Sequence, residues 1–162
     1  MSSPSLAQEM VIKLSSYIRY ALTQDDNKLV DFAEELENSQ LYLEIEKVRF
    51  GDRFELEIDC QAGYENLKIP NMILQPILEN AIKHGVYESL TQVLIEISCK
   101  SESGFLIVGI KNTFDGSGTQ MKGHGIGLKN VKQRMHLTYG LKDLVNIEIK
   151  KNEFIVELKF PQ

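Results

Sequence analysis

Hydrophobic positions at the start of the chain follow a helical period. Over residues 6–22 the apolar side chains recur every three or four positions and form one stripe, made of Met10, Leu14, Tyr17 and Ala21 with Val11 and Ile18 beside it. The polar run 24–27 interrupts this pattern. A second stripe then predicts a helix over about 32–49, through Leu41, Ile45 and Val48. Asp31, three residues before Glu34, is typical of a capping-box start, and Gly51 ends the helix. The chain is therefore predicted to begin with a helical hairpin.

The middle of the chain changes from an alternating to a helical pattern. Apolar residues alternate with charged ones over 53–60, which predicts a half-buried strand through Phe54, Leu56 and Ile58. After a polar loop, Pro70 is predicted to open a third helix that runs to Gly85. Pro76 lies inside this pattern and is expected to distort or delay the first turn, because its ring removes a backbone donor.

The second half of the chain is mostly strand. Two alternating runs, 92–100 and 104–111, predict a hairpin around Glu102-Ser103-Gly104. A polar loop (113–122) leads to a fourth helix over about 127–139, and strands 144–150 and 153–160 pair through a short turn. This order predicts an α+β fold, a two-layer α/β sandwich in which helices cover one face of a mixed, mostly antiparallel sheet. We divide the chain into a helical lead-in, 1–50, and a domain, 51–162.

Charge and composition exclude several classes of function. The 162 residues carry a formal net charge of −5, and no basic stripe offsets it, which argues against a nucleic-acid partner. There is no apolar run long enough to cross a bilayer and no signal peptide, so we expect a cytoplasmic chain without membrane contact. Cys60 and Cys99 lie in strand-like stretches. We expect them to be buried apolar side chains in a reducing compartment rather than a disulfide or a metal site.

The third predicted helix carries polar residues on one stripe. Asn80, Lys83 and His84 are three and four residues apart, so on an α-helix they can reach one ligand together. An asparagine oxygen is a hard ligand that suits Mg²⁺, which takes its remaining ligands from water and phosphates, and Lys83 would add a positive charge. The alternative is a solvated polar face with Gly85 as its C-cap.

A glycine-rich segment precedes the fourth helix. Gly123, Gly125 and Gly127 allow close approach of the backbone to a ligand, and the helix that follows directs unpaired N–H groups and its positive dipole end into the loop. Such an arrangement binds anions, phosphates above all. The alternative is a flexible surface loop.

These motifs, taken together, resemble the ATP-binding domain of sensor histidine kinases, a Bergerat-fold domain shared with gyrase-type and Hsp90-type ATPases. The stretch 74–85 (LQPILENAIKHG) is similar to the N box of the LytS/YehU-type branch, and 123–134 (GHGIGLKNVKQR) to its second glycine box. Residues 42–51 (YLEIEKVRFG) are similar to the stretch that enters the domain in that branch. The resemblance covers nearly the whole chain.

The resemblance implies an ATP site with Mg²⁺. It assigns the metal to Asn80 and a phosphate contact to Lys83, and makes 113–122 the mobile lid over the nucleotide. Adenine recognition falls to Asn112 where the family usually has Asp, with a displaced box at Asp115-Gly116-Ser117-Gly118 as the less favoured alternative. The full set of implied nucleotide contacts is Asn80, Lys83, His84, Asn112, Gly123, His124, Gly125, Ile126, Gly127 and Leu128.

The resemblance also bears on the reaction. Gyrase-type ATPases activate water with a Glu four residues before the N-box Asn, where this chain has Pro76, so phosphoryl transfer is favoured over hydrolysis. None of the three histidines, His84, His124 and His136, lies in a phosphoacceptor motif. We therefore expect the phosphoacceptor histidine to belong to a part of the parent protein that is missing here. The implied parent is a membrane-anchored homodimeric sensor, with this chain in its cytoplasmic part, that passes the phosphoryl group to a response regulator receiver domain.

Two rival functions remain at this point. One is a serine kinase of the anti-sigma-factor type on the same fold, although the helical lead-in at 32–50 weighs against it. The other is a degenerate binding or scaffolding module that has lost its nucleotide, which the Asn112 departure keeps open.

Overall fold

Seven strands and four helices follow one another in the computed structural model, which describes residues 4–23, 28–60, 63–115 and 126–162. The helices are α1 (Pro4–Thr23), α2 (Phe32–Phe50), α3 (Gln75–Asn80), which continues as a π-helix (Ala81–Tyr87), and α4 (Ile126–Tyr139). The strands are β1 (Leu29–Asp31), β2 (Phe54–Cys60), β3 (Lys68–Pro70), β4 (Val93–Glu102), β5 (Phe105–Thr113), β6 (Val145–Lys150) and β7 (Glu153–Pro161).

The main sheet has five strands in the order β2-β4-β5-β7-β6. Only β2 and β4 are parallel, whereas the other three neighbouring pairs are antiparallel. The β4–β5 hairpin turns at Ser103 and Gly104, whose φ angles of 54° and 78° are those of a tight hairpin turn. The mixed, mostly antiparallel sheet and its hairpins are therefore confirmed.

The core lies between one face of this sheet and the helices α3 and α4. Along β7 every second residue is buried, as expected for a sheet covered on one side. The sheet contributes Ile95, Ile97, Val108, Val156 and Leu158 to the core, and the helices contribute Leu74, Ile77, Leu78, Leu128, Val131 and Met135. Phe32 and Leu43 of α2 belong to the same cluster. The division of the chain at residue 50 stays a prediction.

The helical lead-in forms as predicted, except at the start of α2. Gly51 ends α2 with a φ of 58°, but Asp31 makes no side-chain hydrogen bond that caps the helix. Its carboxylate instead lies 2.9 Å from Lys68 Nζ. The reason is that β1 and β3 pair in a separate two-stranded sheet, which places Asp31 opposite Lys68. The predicted capping box is therefore wrong.

The third helix begins later than predicted. Pro70 ends β3, where it pairs with Leu29, and α3 begins at Gln75, with Pro76 in its first turn. A proline costs no hydrogen bond there, because the first N–H groups of a helix have no partner within it. The expectation that Pro70 opens this helix is wrong. Pro70 belongs to β3, and a strand of three residues is too short to leave a periodic pattern in the sequence.

The two cysteines are joined, contrary to the sequence-based expectation. Cys60 and Cys99 are direct partners in the parallel β2–β4 ladder, with their Cα atoms 4.3 Å apart, and they form a disulfide. A separation of 39 residues along the chain hides this proximity.

None of the helices within the described ranges combines the length and apolar character needed to cross a membrane.

Candidate functional site

The helix that carries Asn80 changes its winding at that residue. α3 ends at Asn80, and a π-helix with i→i+5 hydrogen bonds begins at Ala81. Such wide turns inside α-helices are frequent at functional sites. The spacing rule used above for Asn80, Lys83 and His84 holds for an α-helix, so it does not describe this segment.

The three polar residues of this helix differ in their surroundings. Asn80 is half-buried, and no hydrogen bond joins its carboxamide to another group in the described ranges. Lys83 is exposed. His84 places Nδ1 3.0 Å from the carboxylate of Glu88, the residue that directly follows the π-helix. The structure therefore gives His84 a local partner, and its contact with a nucleotide stays a prediction.

Asn112 lies against the π-helix, deep in the fold. It is 2% exposed and sits within β5, one residue before the strand ends, rather than after it as expected. Its Nδ2 donates a hydrogen bond to the Thr113 carbonyl at 3.1 Å. A Cβ atom at Gly85 would come within 2.7 Å of Asn112 Nδ2. Gly85 is thus required by close packing, not as a helix cap, and it brings the N-box helix onto β5.

The alternative adenine position, Asp115, has a role of its own in the structure. Its carboxylate accepts a hydrogen bond from the Leu90 N–H at 2.7 Å, between the π-helix and β4. Gly116, Ser117 and Gly118 lie outside the described residues. The choice between Asn112 and this displaced box therefore stays a prediction.

The end of the glycine-rich segment packs on the start of α3. Gly123, His124 and Gly125 lie outside the described residues, as does the greater part of the predicted lid. An added Cβ at Gly127 would lie 3.4 Å from Pro76 Cβ, so the first turns of α4 and α3 are in contact. Ile126 is 81% exposed, whereas Leu128 is buried in the core. Any contact of Leu128 with a ligand would therefore involve its backbone.

Two charged residues near the site interact with groups of the helical lead-in. Glu79 accepts a hydrogen bond from Gln75 Nε2 at 2.9 Å, and its charge helps raise the pKa of Tyr17 on α1, for which burial is the larger cause. Glu79 thus faces the helical lead-in. Arg134 is close enough to Glu35 for its positive charge to lower the pKa of that carboxyl.

Sequence reasoning missed the buried carboxylate of Glu35. This side chain is 1% exposed and accepts hydrogen bonds from the Met72 N–H at 2.8 Å and the Leu74 N–H at 3.0 Å, directly before α3. Burial raises the pKa of Glu35, although these two donors, the Tyr20 hydroxyl and Arg134 act against that rise. A signal was present, because Glu35 falls on the buried stripe of α2 with Phe32, Ser39 and Leu43.

The donors available for a metal are few. In the part of the chain that the structure describes, no three His, Cys, Asp or Glu side chains cluster as a metal site. This is compatible with Mg²⁺ held by one carboxamide oxygen and by phosphate oxygens, because Mg²⁺ keeps several waters and is seldom caged by protein alone.

Comparison with known proteins places this geometry in a family. A family model described as GHKL domain matches residues 68–161, and one described as histidine kinase matches residues 1–54. The chain belongs to the GHKL family, as an ATP-binding domain of the sensor histidine kinase type. The match over the lead-in supports this class over an anti-sigma-type serine kinase.

Individual relatives agree with the assignment. Sensor histidine kinase YpdA of Escherichia coli is 31% identical over an alignment of 147 positions that covers 85% of this chain and 26% of YpdA. Sensor protein LytS of Streptococcus agalactiae is 26% identical over an alignment of 167 positions that covers 96% of this chain and 29% of LytS. The resemblance to the LytS-type branch is thereby confirmed, and the chain spans less than a third of either relative.

Solved structures share the fold. The catalytic domain of histidine kinase ThkA has a TM-score of 0.62 at 14% identity, over 83% of this chain and 95% of that domain. A structure of ThkA in complex with the response regulator protein TrrA matches with a TM-score of 0.58 at 12% identity, over 99% of this chain and 53% of the ThkA chain. The predicted α+β sandwich is confirmed.

Proposed function

We propose that this chain binds ATP with Mg²⁺ and supplies it for phosphoryl transfer to a histidine other than the three in this chain. The observation that carries the proposal is the meeting of the predicted motifs around one helix. Gly127 contacts Pro76 at the start of α3, and Asn112 contacts Gly85 on its π-helical continuation. Asn80 lies between these two contacts along the chain, on the helical segment against which Gly127 and Asn112 are placed.

Each residue has a defined part in this proposal. Asn80 offers a half-buried carboxamide oxygen to Mg²⁺, which would neutralise phosphate charge when bound. The Lys83 ammonium group and the first N–H groups of α4 orient the phosphates, and Asn112 accepts from adenine. The stabilisation of developing charge by these groups is what phosphoryl transfer requires of a protein.

Transfer is favoured over hydrolysis by the surroundings of Asn80. Pro76 occupies the position from which a carboxylate would activate water, and it packs against Gly127. Glu79 is hydrogen-bonded to Gln75 and faces the lead-in helices. In the described ranges neither residue places a general base beside the expected phosphates.

The proposed partners are a second copy of the parent protein and a response regulator. α1 packs on α2 through Tyr17, whose ring lies 5.9 Å from that of Tyr42, and it exposes Val11, Ile12, Leu14, Ile18 and Leu22. An exposed apolar stripe on a helix is the feature that a dimerisation bundle buries. The receiver domain as partner is supported by ThkA, which was solved with TrrA.

The test is thermal unfolding of the chain with millimolar Mg-ADP. At about a hundred times the dissociation constant, ligand binding adds about 2.7 kcal/mol, which should raise the melting temperature by roughly 5 °C or more. Asn80→Ala should abolish the part of this shift that depends on Mg²⁺. Asn146→Ala, the same change at an exposed position of β6, is the matched control and should leave the shift intact. No shift in the wild-type chain would favour the scaffolding alternative.

A further inference from the structure

A carboxylate from α2 holds the backbone at the start of the helix that carries Asn80. Leu74 is the N-cap residue of α3 and makes no side-chain cap hydrogen bond of its own. Glu35 Oε1 accepts from the Leu74 N–H at 3.0 Å, and Oε2 accepts from the Met72 N–H at 2.8 Å. Glu35 therefore satisfies two backbone donors at and just before the N-cap, and its negative charge lies at the positive end of the helix dipole.

The turn held by Glu35 is one that needs an external constraint. Met72 has a φ of 51°, in the left-handed region that a non-glycine residue adopts only at a cost. Asn71, directly before it, is fully buried, and its backbone N–H donates to the Lys28 carbonyl at 3.1 Å. The position of α3 relative to the sheet thus depends on contacts made by residues 71–74.

The same turn is joined to α1. The Tyr20 hydroxyl donates to Asn71 Oδ1 at 2.7 Å and lies 3.3 Å from Glu35 Oε2. The cavity at this junction, about 10 Å³, has room for one water molecule at most. Because Glu35 and Asn71 are buried and the cavity beside them is this small, a displacement of α1 has little free space in which to be absorbed.

We propose that Glu35 is a positioning residue for the nucleotide site. Through Tyr20, the hydrogen bonding of Glu35 to the 71–74 turn depends on the position of α1. This inference rests on the proposed role of Asn80 in binding Mg-nucleotide. A shift of α1 that withdraws Tyr20 loosens the turn, α3 moves, and Asn80 no longer meets the metal. The lead-in helix thereby controls the metal-dependent part of nucleotide binding.

The test compares metal dependence of binding between variants of the chain. The dissociation constant for ADP is measured by calorimetry with EDTA and with Mg²⁺. The EDTA value divided by the Mg²⁺ value is the ratio that reports the contribution of the metal. Tyr20→Phe removes one hydrogen bond to the turn, and Glu35→Gln leaves a single acceptor for two N–H donors. Each should lower the ratio by about threefold or more, the factor that the loss of one hydrogen bond corresponds to.

Tyr17→Phe is the matched control. It makes the same chemical change on the same helix, one turn earlier, at a residue that has no hydrogen bond to the 71–74 turn in the described structure. It should leave the ratio unchanged, and Asn80→Ala should remove the metal dependence altogether. A purely structural role for Glu35 predicts lower thermal stability with an unchanged ratio.

The outcomes separate this inference from the function on which it rests. If Asn80→Ala removes the metal dependence while Tyr20→Phe and Glu35→Gln keep the wild-type ratio, the positioning role is refuted and the nucleotide site stands. If wild type and Asn80→Ala show the same ratio, the Asn80 assignment is refuted and the positioning role with it. A fall in the ratio for both variants, with Tyr17→Phe unchanged, supports the inference.

Discussion

The helix that carries Asn80 is held at its two ends by different physical means. At its start, Glu35 of α2 accepts two backbone hydrogen bonds from the 71–74 turn. On its π-helical continuation, Gly85 lies so close to Asn112 that a Cβ atom would reach 2.7 Å from Nδ2. The first end is held by directional attraction to a titratable group, and the second by a steric limit.

The difference indicates which end can be adjusted. A hydrogen-bonded contact weakens gradually when a partner moves or its charge changes, whereas close-packed atoms resist any approach steeply. In the part of the chain that the structure describes, the first end is also hydrogen-bonded to α1, through Tyr20. We therefore expect regulation to act at the start of α3, and the packing against β5 to serve as the fixed reference.

The largest effect on stability is expected from Glu35→Ala. It leaves the buried N–H groups of Met72 and Leu74 without their acceptor, and each such loss costs about 1–3 kcal/mol. The free energy of unfolding, measured by urea denaturation, should fall by about 3 kcal/mol. Glu37→Ala on the exposed face of the same helix should change it by less than about 0.5 kcal/mol. Equal effects of the two variants would show that the start of α3 is not held by Glu35.

Gly85→Ala should cost about 1–3 kcal/mol, because the added methyl group overlaps Asn112. Gly85 has no positive φ, so without this overlap alanine would stabilise the helix. The same substitution in an Asn112→Ala background should therefore cost much less, as a double-mutant cycle by urea unfolding would measure. An unchanged cost in that background would place the steric limit elsewhere.

The pH dependence of stability should distinguish the two ends. Burial raises the pKa of Glu35 above its ordinary value of 4.5, against the opposing effects of its N–H donors, the Tyr20 hydroxyl and Arg134. A raised pKa in the folded state means that the stability linked to Glu35 is fully present below about pH 4.5 and is lost as pH rises through the folded-state pKa.

Wild type should accordingly lose stability relative to Glu35→Gln over that rise, because glutamine does not titrate. Urea unfolding at a series of pH values measures the difference between the two chains. Gly85→Ala should show no such trend relative to wild type, since its contact with Asn112 has no titratable group. If the difference in the free energy of unfolding between wild type and Glu35→Gln does not change with pH, a raised pKa of Glu35 is contradicted.

The smallest effect is expected from Asp31→Asn. Asp31 pairs with Lys68 at 2.9 Å in the β1–β3 sheet that leads into the 71–74 turn, but the side chains are 40% and 57% exposed. Exposed ion pairs contribute about 0–1 kcal/mol. The free energy of unfolding should fall by less than about 0.5 kcal/mol, and a loss comparable to that of Glu35→Ala would mean that this small sheet, rather than Glu35, positions the turn.

The sequence predicted the elements with strong periods and missed those without one. The β4–β5 hairpin, α4 and the β6–β7 pair were all placed within a few residues, because alternation, a turn at Ser103-Gly104 and a helical stripe are local signals. The β1–β3 pairing has no local signal, since each strand is three residues long. For the site, the motifs located Asn80 and the glycine-rich segment, but not the change to a π-helix after Asn80.

What the sequence determined by itself is the family, the order of the longer helices and strands, and the residues that meet a nucleotide in the proposal, because each depends on residue types at short spacings. What only the tertiary structure decided are contacts between residues far apart in the chain. Glu35 meets the 71–74 turn, Cys60 meets Cys99, and Gly85 must be glycine because Asn112 lies beside it. These pairings depend on how strands and helices are brought together, which local periodicity does not encode.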